Sequence, residues 1–251
     1  MKEKISKIKE KFQVTRVQDL VELIEVYRQD ERVGIKKEIE KAEKKIRDFK
    51  AEKERIYQLS RYEREYASYH SICGIDEVGR GPLAGPVVAA AVILPKECDI
   101  LYINDSKKLS EKKREELYDE IMEKSLAVGI GLVSPERIDE INILQATYEA
   151  MRKAINNLSI LPDILLNDAV TIPGVSYPQV PIIKGDAKSI SIGAASIVAK
   201  VTRDRLMVEY DKVFPQYGFA SNKGYGARTH IEALKEYGPT PIHRRSFIKN
   251  F

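Results

Sequence analysis

A chain of 251 residues is long enough for one full core and a smaller appended unit, and its 43% hydrophobic and 32% charged residues describe a globular protein. No apolar run approaches the roughly 18–20 residues that cross a membrane, the charged start Met1-Lys-Glu-Lys-Ile lacks a signal peptide's apolar stretch, and two isolated cysteines, Cys73 and Cys98, exclude a disulfide framework or zinc site, so a reducing cytoplasm is expected. The net charge of +4 is uneven: residues 1–70 hold 19 Lys+Arg against 15 Asp+Glu, while residues 71–251 hold 23 of each. A basic appendage on a neutral body suggests a polyanionic partner, and a solvated helical surface explains the same numbers equally well.

Residues 1–70 contain no proline and one glycine, Gly34, and read as a helical extension. Thr15-Arg-Val-Gln18 has the capping-box pattern of a helix start. Val17, Leu20, Ile24 and Tyr27 then follow at helical spacing, and a second helix is expected over 33–69 with Ile35, Ile39, Ala42 and Ile46 on one face. That face suits an interaction arm or a packed hairpin, with the arm slightly favoured.

At Ser71 the pattern changes. Ile72-Cys-Gly-Ile75 reads as a short buried strand ending in Asp76 and Glu77; residues 86–94 and 126–133 read as two more strands. Helices are expected over 110–124 and 144–158, strands over 163–168 and 180–183, and helices over 189–213 and 229–237. Interleaved strands and helices make residues 71–251 an α/β domain.

Four acids stand out. Asp76 and Glu77 are adjacent at a strand end, Asp168 ends another apolar run, and Asp186 follows Ile182-Ile-Lys-Gly. Acidic residues are depleted in strands, and crowded carboxylates repel unless cations neutralise them. Mg²⁺ and Mn²⁺ take oxygen ligands, and a pair about 3.5–4 Å apart suits phosphodiester hydrolysis. Strand-end caps explain Asp168 or Asp186 alone equally well. The Asp76-Glu77 pair is harder to explain that way, because Val78-Gly-Arg-Gly-Pro-Leu-Ala-Gly-Pro86 follows at once. Gly79 and Gly81 allow close backbone approach and an anion-binding nest, and Arg80 adds a positive charge.

The segment Gly74-Ile-Asp-Glu-Val-Gly-Arg-Gly-Pro-Leu-Ala-Gly-Pro86 resembles the signature of the type 2 ribonuclease H family, bacterial ribonuclease HII. The likeness continues through Asp105-Ser-Lys-Lys-Leu-Ser110, Lys184-Gly-Asp186, Ala194-Ala-Ser-Ile-Val-Ala-Lys-Val-Thr-Arg-Asp204 and Lys223-Gly-Tyr-Gly226, so it spans essentially all of residues 71–251. It implies a ribonuclease H-like fold, a mixed and largely parallel central sheet flanked by helices. It implies that Asp76, Glu77, Asp168 and Asp186 hold two divalent ions, Mg²⁺ or Mn²⁺. It makes Gly79, Arg80 and Gly81 the turn that reads a ribonucleotide–deoxyribonucleotide junction, with Tyr225 stacking beside it. Ribonuclease HIII usually carries Gly-Thr-Gly there, so Arg80 favours type HII. The implied activity is cleavage of the RNA strand of RNA–DNA hybrids and cutting 5′ to single ribonucleotides in duplex DNA, by a cytoplasmic monomer.

Ser106, Lys107, Lys184 and Arg203 are expected at substrate phosphates, with Lys108 and Lys200 as weaker candidates. His230, His243, Arg244 and Arg245 receive no role, His230 reading as structural. Two rivals remain at this point. A resolvase- or integrase-like nuclease would cut branched all-DNA substrates. A non-enzymatic nucleic-acid binder using residues 1–70 would bind without metal.

Overall fold

The structure, a computed structural model, describes residues 3–250. By packing the chain divides into two compact units, the first ending at Gln58 and the second beginning at Leu59.

The first unit contains α1 (Ile5–Val14), a 3-10 turn at 17–19, α2 (Leu20–Tyr27) and most of α3 (Val33–Leu59). Ile8, Phe12, Leu20, Ile24, Ile35 and Ala42 are buried together, with Val17, Tyr27, Ile39 and Ile46 packed against them. The two apolar stripes read from the sequence therefore close a core of their own, as a packed hairpin does. The capping box at Thr15 does not form. Thr15 instead closes α1, its hydroxyl donating to the Lys11 carbonyl at 2.7 Å, because the upstream pattern Ile5, Ile8, Phe12 already carries a helix to Val14. The expected helix over 33–69 stops at Leu59, and after Ser60 a separate stub, α4 (Arg61–Glu65), begins. Tyr62 and Tyr66, in and just after that stub, pack against Leu166, Ile182 and Ile192 of the second unit's core, so packing places its boundary before Ser71.

The second unit is built on β1 (Ile72–Val78), β2 (Val87–Ile93), β3 (Ala127–Val133), β4 (Ile164–Asp168) and β5 (Gln179–Ile182), in sheet order β3-β2-β1-β4-β5. Its helices are α5 (Glu111–Lys124), α6 (Pro135–Asn156), α7 (Ile190–Val213), the short α8 (Phe219–Asn222) and α9 (Arg228–Tyr237). The sheet is mixed as expected. It is not largely parallel: β1–β2 and β2–β3 are antiparallel, while β1–β4 and β4–β5 are parallel. The short turn after β1 lets β2 reverse beside it, the longer connection carrying α5 returns the chain antiparallel as β3, and α6 supplies the crossover that sets β4 parallel to β1. β2 is buried along its whole length, as a continuous apolar strand covered on both faces must be.

Alternation sorts the side chains. Cys73 and Ile75 of β1, with Ala89 and Ala91 of β2, join Ala150, Met151 and Ala154 of α6 in the main core. The even-numbered positions turn the other way, towards α7, which packs on β1 and β2. α6 starts at Pro135, well before the expected 144. Ser134 caps it, accepting from the Arg137 amide at 3.3 Å, but Asn142 leaves the helical region at φ 67° and its side chain accepts from the Leu144 and Gln145 amides. Asn142 acts as an internal cap, which is why helical periodicity read from the sequence begins only after it.

Candidate active site

Strand register brings the first acids together. β1 and β4 run parallel, with Ile75 beside Asn167, so Asp76 and Asp168, each one residue further on, lie level where β4 ends and β1 runs on to Val78. β5 lies parallel to β4 on its other side, with Ile182 beside Asp168. The chain then turns through Lys184, held in the left-handed region at φ 57°, into a 3-10 turn at 185–187 that carries Asp186. The Gly185 amide donates to Asp168 Oδ1 at 2.7 Å and ties this turn to the strand end.

The acids act on one another electrostatically. Burial pushes the Asp76 carboxyl well above the usual carboxylate range, and Glu77 and Asp168 push it further; hydrogen bonds from Ser196 and the Glu77 amide, the latter at 2.8 Å, act the other way. Burial also raises Glu77, whose exposed neighbour Arg80 offsets part of that with an ion pair at 3.3 Å. Asp186 is raised by burial, then by Asp105 and Asp168. Among the described residues, no three His, Cys, Asp or Glu side chains are gathered tightly enough to hold an ion as they stand. The donors nonetheless fit a hard divalent cation: all are oxygens, and each raised carboxyl would be relieved by positive charge among them.

Directly after Glu77 comes the turn at 79–81. Gly79 sits at φ 89°, and a Cβ there would meet the Arg203 Nε at 2.3 Å and the Pro86 carbonyl at 2.8 Å, so only glycine fits. Gly81 has nothing within 4 Å of where a Cβ would be and faces open space. Tyr225, 42% exposed, holds its ring 5.8 Å from the Arg203 guanidinium, the same side chain that lies against Gly79. The preceding residue, Gly224, approaches Ala84 so closely that a Cβ would lie 2.4 Å from its carbonyl oxygen, and the Leu83 amide donates to the Gly224 carbonyl at 2.8 Å. One end of the second unit thus presents four carboxylates, an open glycine turn with an exposed arginine, and an exposed aromatic ring.

The ribonuclease HII profile matches residues 73–250, and a ribonuclease HII N-terminal domain profile matches residues 4–67. The chain belongs to the ribonuclease HII family. It is 67% identical over 247 residues to the ribonuclease HII of Lachnoclostridium phytofermentans, covering 98% of this chain and 97% of that one. Ribonuclease H2 from Pyrococcus horikoshii OT3 matches with a TM-score of 0.60 at 30% identity, over 70% of this chain and 93% of its own. Bst-RNase HIII in complex with Mn²⁺ shares the fold with a TM-score of 0.55 at 18% identity, over 70% and 67% of the two chains. The protein is accordingly a metal-dependent nuclease with ribonuclease H endonuclease activity. No described helix is long and apolar enough to cross a membrane.

Within this ribonuclease HII site two expected phosphate contacts are corrected. Arg203 is fully buried, and its guanidinium donates to the carbonyls of Pro86 at 3.0 Å, Lys223 at 2.9 Å and Ala84 at 3.1 Å, which leaves it facing backbone rather than solvent. Ser106 is also buried and turns its hydroxyl onto Ser196 at 2.9 Å. Since an ionised carboxylate only accepts, Ser196 donates to Asp76 and Ser106 donates to Ser196, a chain that orients the carboxylate. Lys107 and Lys184 remain exposed at the rim. The weaker candidate Lys200 is paired with Asp204 at 2.7 Å.

Three residues escaped the sequence reading. Ser196 was hidden inside a small-residue helix; the alternation that turns Asp76 towards α7 could have found it. Asp105, whose charge reaches Asp186, stood in plain view at the head of Asp105-Ser-Lys-Lys. Arg244, fully buried, gave no periodic signal in a segment without regular structure.

Proposed function

We propose that this ribonuclease cuts 5′ to single ribonucleotides embedded in duplex DNA, as well as the RNA strand of RNA–DNA hybrids, leaving 3′-hydroxyl and 5′-phosphate ends. The observation that carries this reading is the acid pair Asp76-Glu77 running directly into a turn whose Gly81 faces open space. Asp76, Glu77, Asp168 and Asp186 would hold two divalent cations, Mg²⁺ or Mn²⁺, which when bound supply an activated water and stabilise the departing 3′ oxygen.

The chain's own residues do the selecting. Only the 2′-hydroxyl distinguishes the two sugars locally, and a glycine turn lets backbone groups approach it without a side chain between. Arg80 offers its charge to the adjacent phosphate while Glu77 restrains its side chain. Tyr225 presents a ring on which a sugar or base can stack, and Lys107 and Lys184 add exposed positive charge for the backbone. Ser196 and Ser106 hold the Asp76 carboxyl in one orientation. In this reading the catalytic domain begins at Leu59 rather than at Ser71, and the residues before it form a helical, basic extension. The enzyme acts as a monomer in the cytoplasm.

The test is a labelled DNA duplex with one ribonucleotide, incubated with Mg²⁺, with Mn²⁺ and with chelator, beside an all-DNA duplex and the Asp76→Asn variant. Metal-dependent cutting 5′ to the ribonucleotide, absent from both controls, is the expected result. Cutting of the all-DNA duplex, or no cutting at the ribonucleotide by folded protein, would defeat the proposal.

A further inference from the structure

Two guanidiniums, Arg203 and Arg244, lie buried behind the 79–81 turn, and among the described residues neither forms an ion pair with a carboxylate side chain. Arg244 donates from Nε to the Gly85 carbonyl at 3.0 Å, from Nη1 to the Arg80 carbonyl at 2.9 Å, and from Nη2 to the carbonyls of Gly79 and Gly85. Three carbonyls of one loop are thus gathered on a single planar fork, and two of them belong to the turn itself. Burial, with Arg203 alongside, pulls the Arg244 guanidinium down to about 9. A charge kept in so unfavourable a place points to a requirement for its geometry.

The same short segment reaches Tyr225. The Tyr225 carbonyl accepts from His230 Nδ1 at 2.8 Å, so that nitrogen carries a proton. His230 Nε2 lies 3.0 Å from His243 Nε2. His243 Nδ1 accepts from the Thr240 amide at 3.0 Å and faces the Thr240 hydroxyl at 2.8 Å. One proton order satisfies every partner: His243 Nε2–H donates to His230, and both rings are neutral. A second proton on either ring would set two donors against each other. Backbone contacts fasten the segment to the loop as well. Gly85 donates to the Ile242 carbonyl at 2.8 Å, the Arg244 amide donates to Leu83 at 2.9 Å, and Ala84 bridges His243. Arg203, bonded to the Lys223 carbonyl, lies 5.8 Å from the centre of the Tyr225 ring and backs it from below.

We propose that residues 240–244 form a positioning strap that sets the preference of this site for ribonucleotides, by holding the 79–81 turn and Tyr225 in one fixed mutual geometry. The inference rests on the reading of that turn and of Tyr225 given above. Arg244 and His243 touch no substrate; they act through Gly79, Arg80 and, by way of His230, Tyr225. Binding a junction needs both elements placed at once, and a misplacement of even an ångström is costly where hydrogen bonds and stacking must coincide. An unconnected turn and tyrosine would pay that ordering cost on each encounter.

The experiment measures affinity, in the Asp76→Asn background, for a duplex with one ribonucleotide and for the same duplex in all-DNA form. The parent is expected to prefer the ribonucleotide duplex. Arg244→Lys keeps the charge but loses the fork, and should reduce that preference by roughly tenfold, a loss of about 1.4 kcal/mol, while all-DNA affinity stays constant. His230→Leu should reduce it similarly, and His230→Asn, which can still place an amide donor near the Tyr225 carbonyl, should restore most of it. If Arg244→Lys does not fold, the His230 pair decides. Unchanged preference in folded variants, or parallel loss of both affinities, would overturn the strap. A parent with no preference would overturn the reading of the turn and the strap with it, and is distinguishable because it appears before any strap residue is changed.

Discussion

Two charged clusters border the turn at 79–81, and the protein treats them in opposite ways. The carboxylates of Asp76, Glu77 and Asp186 are pushed up by burial and by acidic neighbours, which Arg80 at Glu77 and Lys107 near Asp186 offset only in part. The guanidiniums of Arg203 and Arg244 are buried more deeply, yet each is satisfied by three or more hydrogen bonds to backbone carbonyls. A cluster built to take a partner keeps lone pairs open and tolerates its own repulsion. A cluster built to hold a shape commits its donors internally. Charge and burial alone do not separate these cases; the state of the donor and acceptor atoms does.

That contrast predicts different responses to loss of charge. Asp76→Asn should reduce metal-dependent cutting by roughly 10³-fold or more, the equivalent of several kcal/mol of lost transition-state stabilisation. The same change should leave the metal-free melting temperature unchanged or higher, since it removes a repelled, buried charge. A variant that still cuts, or that melts several degrees lower, would break the comparison on the acidic side. On the basic side Arg203→Met should destabilise by about 3–5 kcal/mol, because three carbonyls lose their donor in a buried setting. Denaturant midpoints measure this, and a loss under about 1 kcal/mol would mean the guanidinium is not a structural tie.

Acid titration sharpens the contrast, because the two sides carry opposite signs. A carboxyl raised on folding holds more protons in the folded state between its ordinary and raised values. Metal-free stability therefore falls as pH rises through that window, and added Mg²⁺ should reverse the fall. His243 is pushed down to about 4 by burial, His230 and Arg245, so it is neutral in the folded state. There the unfolded chain binds the extra proton, and stability is lost as pH falls from the ordinary histidine value towards 4. Melting curves across pH 4–8 without metal should show both limbs, with Asp76→Asn flattening only the one contributed by the carboxylates. A profile unchanged by that variant would show that Asp76 titrates alike in both states.

The acidic side was readable in the sequence because strand ends announce themselves: apolar runs of β length stop at Asp76 and Asp168, and the turn at 79–81 is spelled in glycines. Strand positions were legible to within a residue or so, since β1 to β5 are short apolar runs between turns. The basic side was not. Arg203 sits on a helix where exposed and buried arginines look alike in one dimension, and it was read as a phosphate contact. Arg244 lies in irregular backbone whose partners are about 160 residues away in sequence. Long-range side-chain-to-carbonyl bonds leave no period to read. The capping box expected at Thr15 and the helix start expected at 144 missed for a related reason: Thr15 and Asn142 can each cap on either side, and only the packed neighbours decide which side prevails.

Arg80 is the smallest test and falls between the two clusters, being the exposed cation of the turn. Its pair with Glu77, at 3.3 Å and half open to solvent, is worth no more than about 1 kcal/mol in stability, so Arg80→Ala should melt within about 4 °C of the parent. If its charge instead meets a substrate phosphate, the variant should bind ribonucleotide and all-DNA duplexes more weakly by a similar factor, since phosphates carry no sequence or sugar information. The slope of log affinity against log salt should become shallower by about one unit. A changed ribonucleotide preference with an unchanged salt slope would mean that Arg80 helps to read the sugar and belongs with the turn's amides. An unchanged affinity would leave it a partner of Glu77 alone, and the recognition of the phosphate would pass to Lys107 and Lys184.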